Sequence, residues 1–401
     1  MTGSTMLASM APKPWQLPSM PTLFQHIHIL DPVAMTDRVG AVLLVGGTLH
    51  LLHQEQLGTE GGINAVSLAD EVAQSLAAQN FQVEDIDIVD AHGWVAAPGL
   101  VDLYSHSGEP GFESRETAAT LAQSALAGGF TRLGILPDTQ PVLDNPGAIA
   151  RLHQIFTGLD IAPLVYFWGA LTHGLAGTQM TELGELAAMG DTPFGVTAND
   201  RLPLAGFSDG QPLDNPALLH RLLDYGRTLN QPIALYPQSL TLADGGVARE
   251  GRIATQLGLP QQMAIAETSA LSLILDCVAA TQTPVHIMRV STAASVELIA
   301  AAKERGLPVT ASTTWMHLLF STTALSGYDP NLRVEPPLGN PDDQAALLAG
   351  LKSAVLDAIA IDHTPYTYEE KTVPFALAPP GVIGLQCALS LLWQGLVQTG
   401  H

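Results

Sequence analysis

The stretch V101-D-L-Y-S-H-S-G-E-P-G111 decides the fold of this chain. An apolar run from Trp94 to Leu103 leads into it and reads as a buried strand closing after Pro98-Gly99. Tyr104, Ser105 and His106 then stand at the strand's C-terminal end, and Gly108-Glu109-Pro110-Gly111 supplies a turn. In a parallel α/β barrel, side chains with chemical work to do are placed at that end of a strand.

Downstream, short β-rich runs alternate with helical patterns, as parallel βα units require. The expected strands are 95–106, 131–137, 163–171, 193–198, 232–238, 284–291, 307–315 and 357–365. Eight such units predict an α/β fold, a (β/α)8 TIM-type barrel over 94–401. Ser291-Thr292 precedes an apolar stripe through Leu298, Ile299 and Ala302 and predicts a helix N-cap. Residues 1–22, with Pro12, Pro14, Pro18 and Pro21, read as a disordered or extended segment. Between them, 23–93 reads as a small β-sandwich module. Its runs FQHIHIL and AVLLVGGTLHLL turn at Gly46-Gly47, and a polar insertion holds a helix over Asn64–Gln79.

The chain of 401 residues is 47% hydrophobic and 13% charged, so it can bury a large core. Its formal charge of −22 argues against nucleic acid and anionic membrane surfaces as partners. No apolar run reaches the roughly 18 residues of a spanning helix, and no secretory signal opens the chain. Cys277 and Cys387 lie in apolar helical patterns, outside any Cys-x-x-Cys pair, which suits reduced thiols in a cytoplasmic protein.

The opening stretch resembles the signature of the dihydroorotase and cyclic-amidohydrolase family. In that family an aspartate is followed by His-x-His, an arginine and Glu-Pro-Gly. Asp102, His106, Glu109, Pro110 and Gly111 match. Further ordered matches are AGGFTRLGILPDTQPVLDNP, AGFSDGQPLDN, PVHIMRVSTAAS, VEPPLGNPDD and IDHTPYTYEEK. The resemblance covers roughly 24–400 and implies a metal-dependent-hydrolase barrel, two divalent metals (usually zinc) and a module built from both chain ends. The module's returning strands would lie beyond His401, so the chain reads as truncated or the module as reduced.

The positions that resemblance assigns to chemistry have changed. The metal-ligand positions are Tyr104, His106, Asp209, Tyr236, Arg289 and Asp362. Tyr, Tyr and Arg stand where the family has histidines, and a guanidinium has no lone pair for a metal. The substrate-anchoring arginine and asparagine are Gly108 and Asp138, and a Pro-Pro-Leu-Arg pattern ends in Gly339. No catalytic constellation is intact. Asp362 and His363 are vestigial, and as an acid–base pair they would offer a metal-free route. Arg289 is expected to pair with Asp362, Asp209 or both, while Tyr104 and Tyr236 fill the remaining volume.

The resemblance therefore implies a catalytically inactive, dihydroorotase-like protein without metal. Its expected role is a structural or regulatory partner of aspartate carbamoyltransferase in pyrimidine biosynthesis, within a homo- or hetero-oligomer. The alternatives are an active cyclic-amide hydrolase with a reduced zinc site and a small-ligand sensor.

Overall fold

A computed structural model describes residues 20–52, 70–191 and 203–400. The chain divides into two units, 1–99 and 100–401. The expected extended segment 1–22 falls largely outside the described residues, and strand β1 already begins at Thr22.

The first unit is built on one five-stranded sheet: β1 (Thr22–Asp31), β2 (Thr36–Val45), β3 (Thr48–Leu52), β4 (Asp87–Asp90) and β5 (Val95–Ala96). β2 runs antiparallel to both β1 and β3, while β4 and β5 lie parallel to β1. Gly46 and Gly47 turn β2 into β3 with φ of 54° and 84°, the left-handed pair that a two-residue hairpin demands. The helix Asp70–Ala78 packs Leu76 against Leu23, Leu43 and Leu52. The module expected as a sandwich is thus, among the described residues, one sheet carrying a helix. Only 70–79 of the expected helix 64–79 lie within those residues.

The second unit is a barrel of eight parallel strands: β6 (Leu100–Ser105), β7 (Phe130–Ile135), β8 (Leu164–Gly169), β9 (Leu204–Phe207), β10 (Ile233–Leu235), β13 (Val285–Ile287), β14 (Val309–Thr314) and β15 (Ala358–Ala360). Two-residue strands β11 (Ala248–Arg249) and β12 (Gln261–Gln262) form a separate ladder between β10 and β13. The first and last barrel strands are linked where the His106 N–H donates to the His363 carbonyl at 2.8 Å. Nearby, the Ile361 N–H donates to Asp102 at 2.8 Å.

Two expected strands move. The run 94–103 is not continuous: Val95–Ala96 pairs with β1 in the first sheet, and the barrel strand starts only after Pro98-Gly99. Proline lacks the ladder N–H and glycine weakens extended pairing, so the chain changes sheets at that point. The expected strand 193–198 lies outside the described residues, and the fourth barrel strand is Leu204–Phe207.

Helix caps follow the sequence. Thr292, Asn145 and Asn215 each accept an N–H three residues on, at 3.1 to 3.2 Å, opening the helices Ala293–Glu304, Pro146–Thr157 and Pro216–Gly226. The last two carry proline at the first helical position. The helices' apolar faces and the strands form one continuous core. Inside the barrel a smaller cluster stacks Tyr104, Leu136, Trp168, Ala234, Met288 and Ala360. This cluster is the floor beneath the site. No helix among the described residues is long and apolar enough to cross a membrane.

Candidate functional site

Arg289 is the centre of the barrel mouth. It follows β13 with φ of 52°, and Asp362 follows β15 with φ of 53°. Neither is glycine, so both hold a left-handed conformation that costs of order 1–3 kcal/mol each and needs surrounding contacts to impose it. The contacts are present. The Arg289 Nε donates to Asp362 Oδ2 at 2.8 Å, and its Nη2 donates to Oδ1 at 2.6 Å. Nη1 donates to the Gly210 carbonyl at 2.8 Å. The guanidinium also lies 5.6 Å from the ring centroid of Tyr104 and 5.2 Å from that of Tyr236. Arg289 is 5% exposed. Burial would raise Asp362, but the guanidinium and His106 outweigh it and hold its carboxyl well below the usual range.

The two tyrosines occupy space and hold the backbone. The Tyr104 hydroxyl accepts the Arg289 N–H at 3.1 Å and bonds Ser312 Oγ at 2.8 Å. The Tyr236 hydroxyl donates to Gln238 and reaches Glu335 at 3.3 Å. Burial pushes both phenols well above the usual tyrosine range, so each stays a neutral hydroxyl. Neither is an accessible phenolate ligand for a metal.

His106 lies between two carboxylates. Its Nδ1 is 2.6 Å from Asp138 Oδ2, and its Nε2 is 3.6 Å from Asp362 Oδ1. Burial lowers the imidazole, yet the two aspartates prevail and raise it to about 9. Nε2 also sits 3.2 Å from Arg289 Nη2. A neutral imidazole could accept there, but two carboxylates against one guanidinium leave a negative charge that the imidazolium cancels. The protonated form is therefore the one this cluster favours. The second oxygen of Asp138, Oδ1, is buried without a partner.

Other expected residues are turned away. Asp209 does not meet Arg289. It accepts the Leu171 N–H at 2.7 Å, the Thr172 N–H at 3.0 Å and the Thr172 hydroxyl at 2.6 Å, so its carboxylate braces a loop. His363 is not an acid–base partner of Asp362. Its Nε2 is 3.0 Å from Glu116, and its Nδ1 accepts the Gly384 N–H at 3.1 Å. At Gly108 an added Cβ would stand 2.3 Å from the Glu116 carbonyl oxygen, so this loop conformation excludes any side chain there. At Gly339 it would stand 2.6 Å from the Asp343 Cβ.

Sequence reasoning missed several charged groups that the fold pairs. Arg115 grips Glu370 through Nε at 3.0 Å and Nη2 at 2.5 Å. Arg333 Nη1 lies 3.3 Å from Glu335. Arg249 and Glu267 form a second buried cluster with Ser291. Each of the three pairs contains an acid and a base of opposite charge, which is the only signal the sequence offered. Above Arg289 opens a cavity of about 470 Å³, lined by groups that include His106, Asp138, Tyr236, Arg333, Glu335 and Asp362.

No family model matches the chain. A probable dihydroorotase-like protein of Synechocystis is 43% identical over 342 residues, covering 78% of this chain and 75% of its own. A dihydroorotase of Pelotomaculum thermopropionicum is 38% identical, covering 78% of this chain and 70% of its own. The chain belongs to the dihydroorotase family. In fold it also resembles the L-hydantoinase (dihydropyrimidinase) of Arthrobacter aurescens, with a TM-score of 0.71 at 17% identity over 95% of this chain and 78% of that one. The D-hydantoinase of a Thermus species gives 0.66 at 17% identity, with the same coverage.

Dihydroorotase-type metal chemistry asks for neutral imidazoles and free carboxylates arranged around a cation. The residues present do not fit it. Asp362 has both oxygens bonded to a guanidinium, His106 faces two aspartates, and Asp209 is satisfied by loop donors. Among the described residues, no group of three or more His, Cys, Asp or Glu side chains is placed to hold a metal ion. Arg289 puts a fixed positive charge beside Asp362, where it would repel any cation drawn to that carboxylate.

Proposed function

We propose that this chain is a non-catalytic member of the dihydroorotase family that works as a structural or regulatory partner in pyrimidine biosynthesis. The observation that carries the reading is the two-point bond between Arg289 and Asp362. It gives the site's carboxylate an internal counter-charge at the place where the family's chemistry needs a metal. The substrate side supports the same reading. Gly108 offers no cation, and Asp138 presents a carboxylate where an anionic substrate would have to be held. The proposed partner, carried by the family resemblance, is aspartate carbamoyltransferase, in a cytoplasmic assembly.

Ring opening and closure of dihydroorotate, assayed with added zinc beside an active relative, tests the loss of activity. No turnover above the buffer rate is expected. Turnover that disappears in the Asp362→Asn variant would overturn the reading. A second reading, a small-ligand sensor, draws on the cavity of about 470 Å³, which lies in the size range of small-molecule sites.

A further inference from the structure

We propose that the cavity at the barrel mouth binds a small, uncharged, carbonyl-bearing molecule and discriminates against anions. The inference rests on the non-catalytic reading above and names the ligand class of that same site. Its basis is how the charges around the cavity are matched. Four cationic side chains line it: His106, Arg115, Arg289 and Arg333. Each meets a carboxylate of the protein. His106 lies 2.6 Å from Asp138, and Arg289 lies 2.6 Å from Asp362. Arg115 lies 2.5 Å from Glu370, and Arg333 lies 3.3 Å from Glu335. Among the described residues that line the cavity, no cation is left over to hold a ligand carboxylate. An arriving anion would have to break one of these pairs or accept the repulsion of the carboxylates behind them.

Two residues on the wall nevertheless carry donors without acceptors among the described residues. Arg333 uses Nη1 for the Val334 carbonyl and for Glu335, and among the described residues nothing accepts from its buried Nε or from its Nη2. Gln238 uses Oε1 to accept from Tyr236 and Gln262, which leaves its Nε2 hydrogens unused. Both residues are buried, Arg333 being 8% and Gln238 7% exposed, and both line the cavity. Unused donors in a polar, charge-matched pocket call for carbonyl acceptors without net charge. The other titratable groups on the lining are Tyr236, Tyr366 and His317; burial pushes both phenols up, so they stay neutral, and His317 is buried. Its Nδ1 is 2.7 Å from Thr314 Oγ1 and its Nε2 is 3.0 Å from the Pro336 carbonyl. It adds no charge.

The test is a calorimetric titration of the full chain with dihydrouracil and with dihydroorotate, two rings that differ by one carboxylate. Dihydrouracil is expected to bind, and dihydroorotate to bind at least about tenfold more weakly. The Glu335→Gln variant strands the Arg333 cation on the wall and is expected to reverse that order. Equal or tighter binding of dihydroorotate to the unaltered protein would overturn the proposal. So would failure of dihydrouracil to bind up to its solubility. Each titrated sample is also assayed for ring-opened product. Turnover there would overturn the non-catalytic reading, whatever the binding data show.

Discussion

Replacing Arg289 with alanine is expected to destabilise the fold by about 3–5 kcal/mol, because it strands a buried carboxylate. Asp362 gives both oxygens to the guanidinium, at 2.6 and 2.8 Å, and its side chain is only 16% exposed. Without Arg289 the carboxylate keeps His106 at 3.6 Å as its nearest charged partner. The Gly210 carbonyl loses its donor, and the rings of Tyr104 and Tyr236 lose the group between them. The double variant Arg289→Ala, Asp362→Asn separates lost packing from a stranded charge. It removes the unpaired carboxylate and is expected to recover a substantial part of the loss. Urea unfolding of the four proteins of this cycle measures both terms. A change below about 0.5 kcal/mol for Arg289→Ala would mean that the pair is as weak as an exposed one.

Glu267→Ala is expected to cost a similar amount, about 3–5 kcal/mol, through a different cluster. Glu267 is 1% exposed and belongs to the helix Ile265–Thr281. It accepts the Ser291 and Thr292 N–H groups at 3.1 and 3.2 Å, the Thr292 hydroxyl at 3.1 Å, and the Ser291 hydroxyl. These bonds fix the turn that opens the helix Ala293–Glu304. The fully buried Arg249 donates to Ser291 Oγ at 2.6 Å and lies 3.7 Å from Glu267. Alanine would leave four donors without their acceptor and the Arg249 guanidinium without its counter-charge. Glu267→Gln keeps part of the hydrogen bonding while removing the charge, and should cost less than alanine does. Thermal and urea unfolding measure the effect. A loss under about 1 kcal/mol for alanine would show that water or neighbouring oxygens replace the carboxylate.

The barrel was legible because its signals are local. The β-rich runs at Leu100–Ser105, Phe130–Ile135 and Leu164–Gly169 are each preceded by glycine or proline, and the Thr292 cap precedes an apolar stripe. Where the local pattern was ambiguous, reading failed. Trp94 to Leu103 is apolar but for Asp102, yet two sheets share it. The site was legible in part. That Arg289 would meet Asp362, Asp209 or both followed from the metal-ligand positions the family resemblance assigns, together with charge, and Asp362 is the one it meets. The direction in which Asp209 and His363 point did not, since a residue at a strand end can face the mouth or the loops behind it. Asp138 read as a defect on the substrate side, and in the fold it is the counter-charge of His106. Arg115 and Glu370 are 255 residues apart, and only the closed barrel brings them together.

If the Arg289 guanidinium has taken over the charge role that metals hold in the family, metal content tests it most directly. The full chain would be produced in zinc-supplemented culture, purified without chelator, dialysed, and analysed for zinc by elemental mass spectrometry. Zinc far below one ion per chain is expected. A stoichiometric zinc that survives dialysis would contradict it, because Asp362 would then be a ligand and could not also be the two-point acceptor of Arg289.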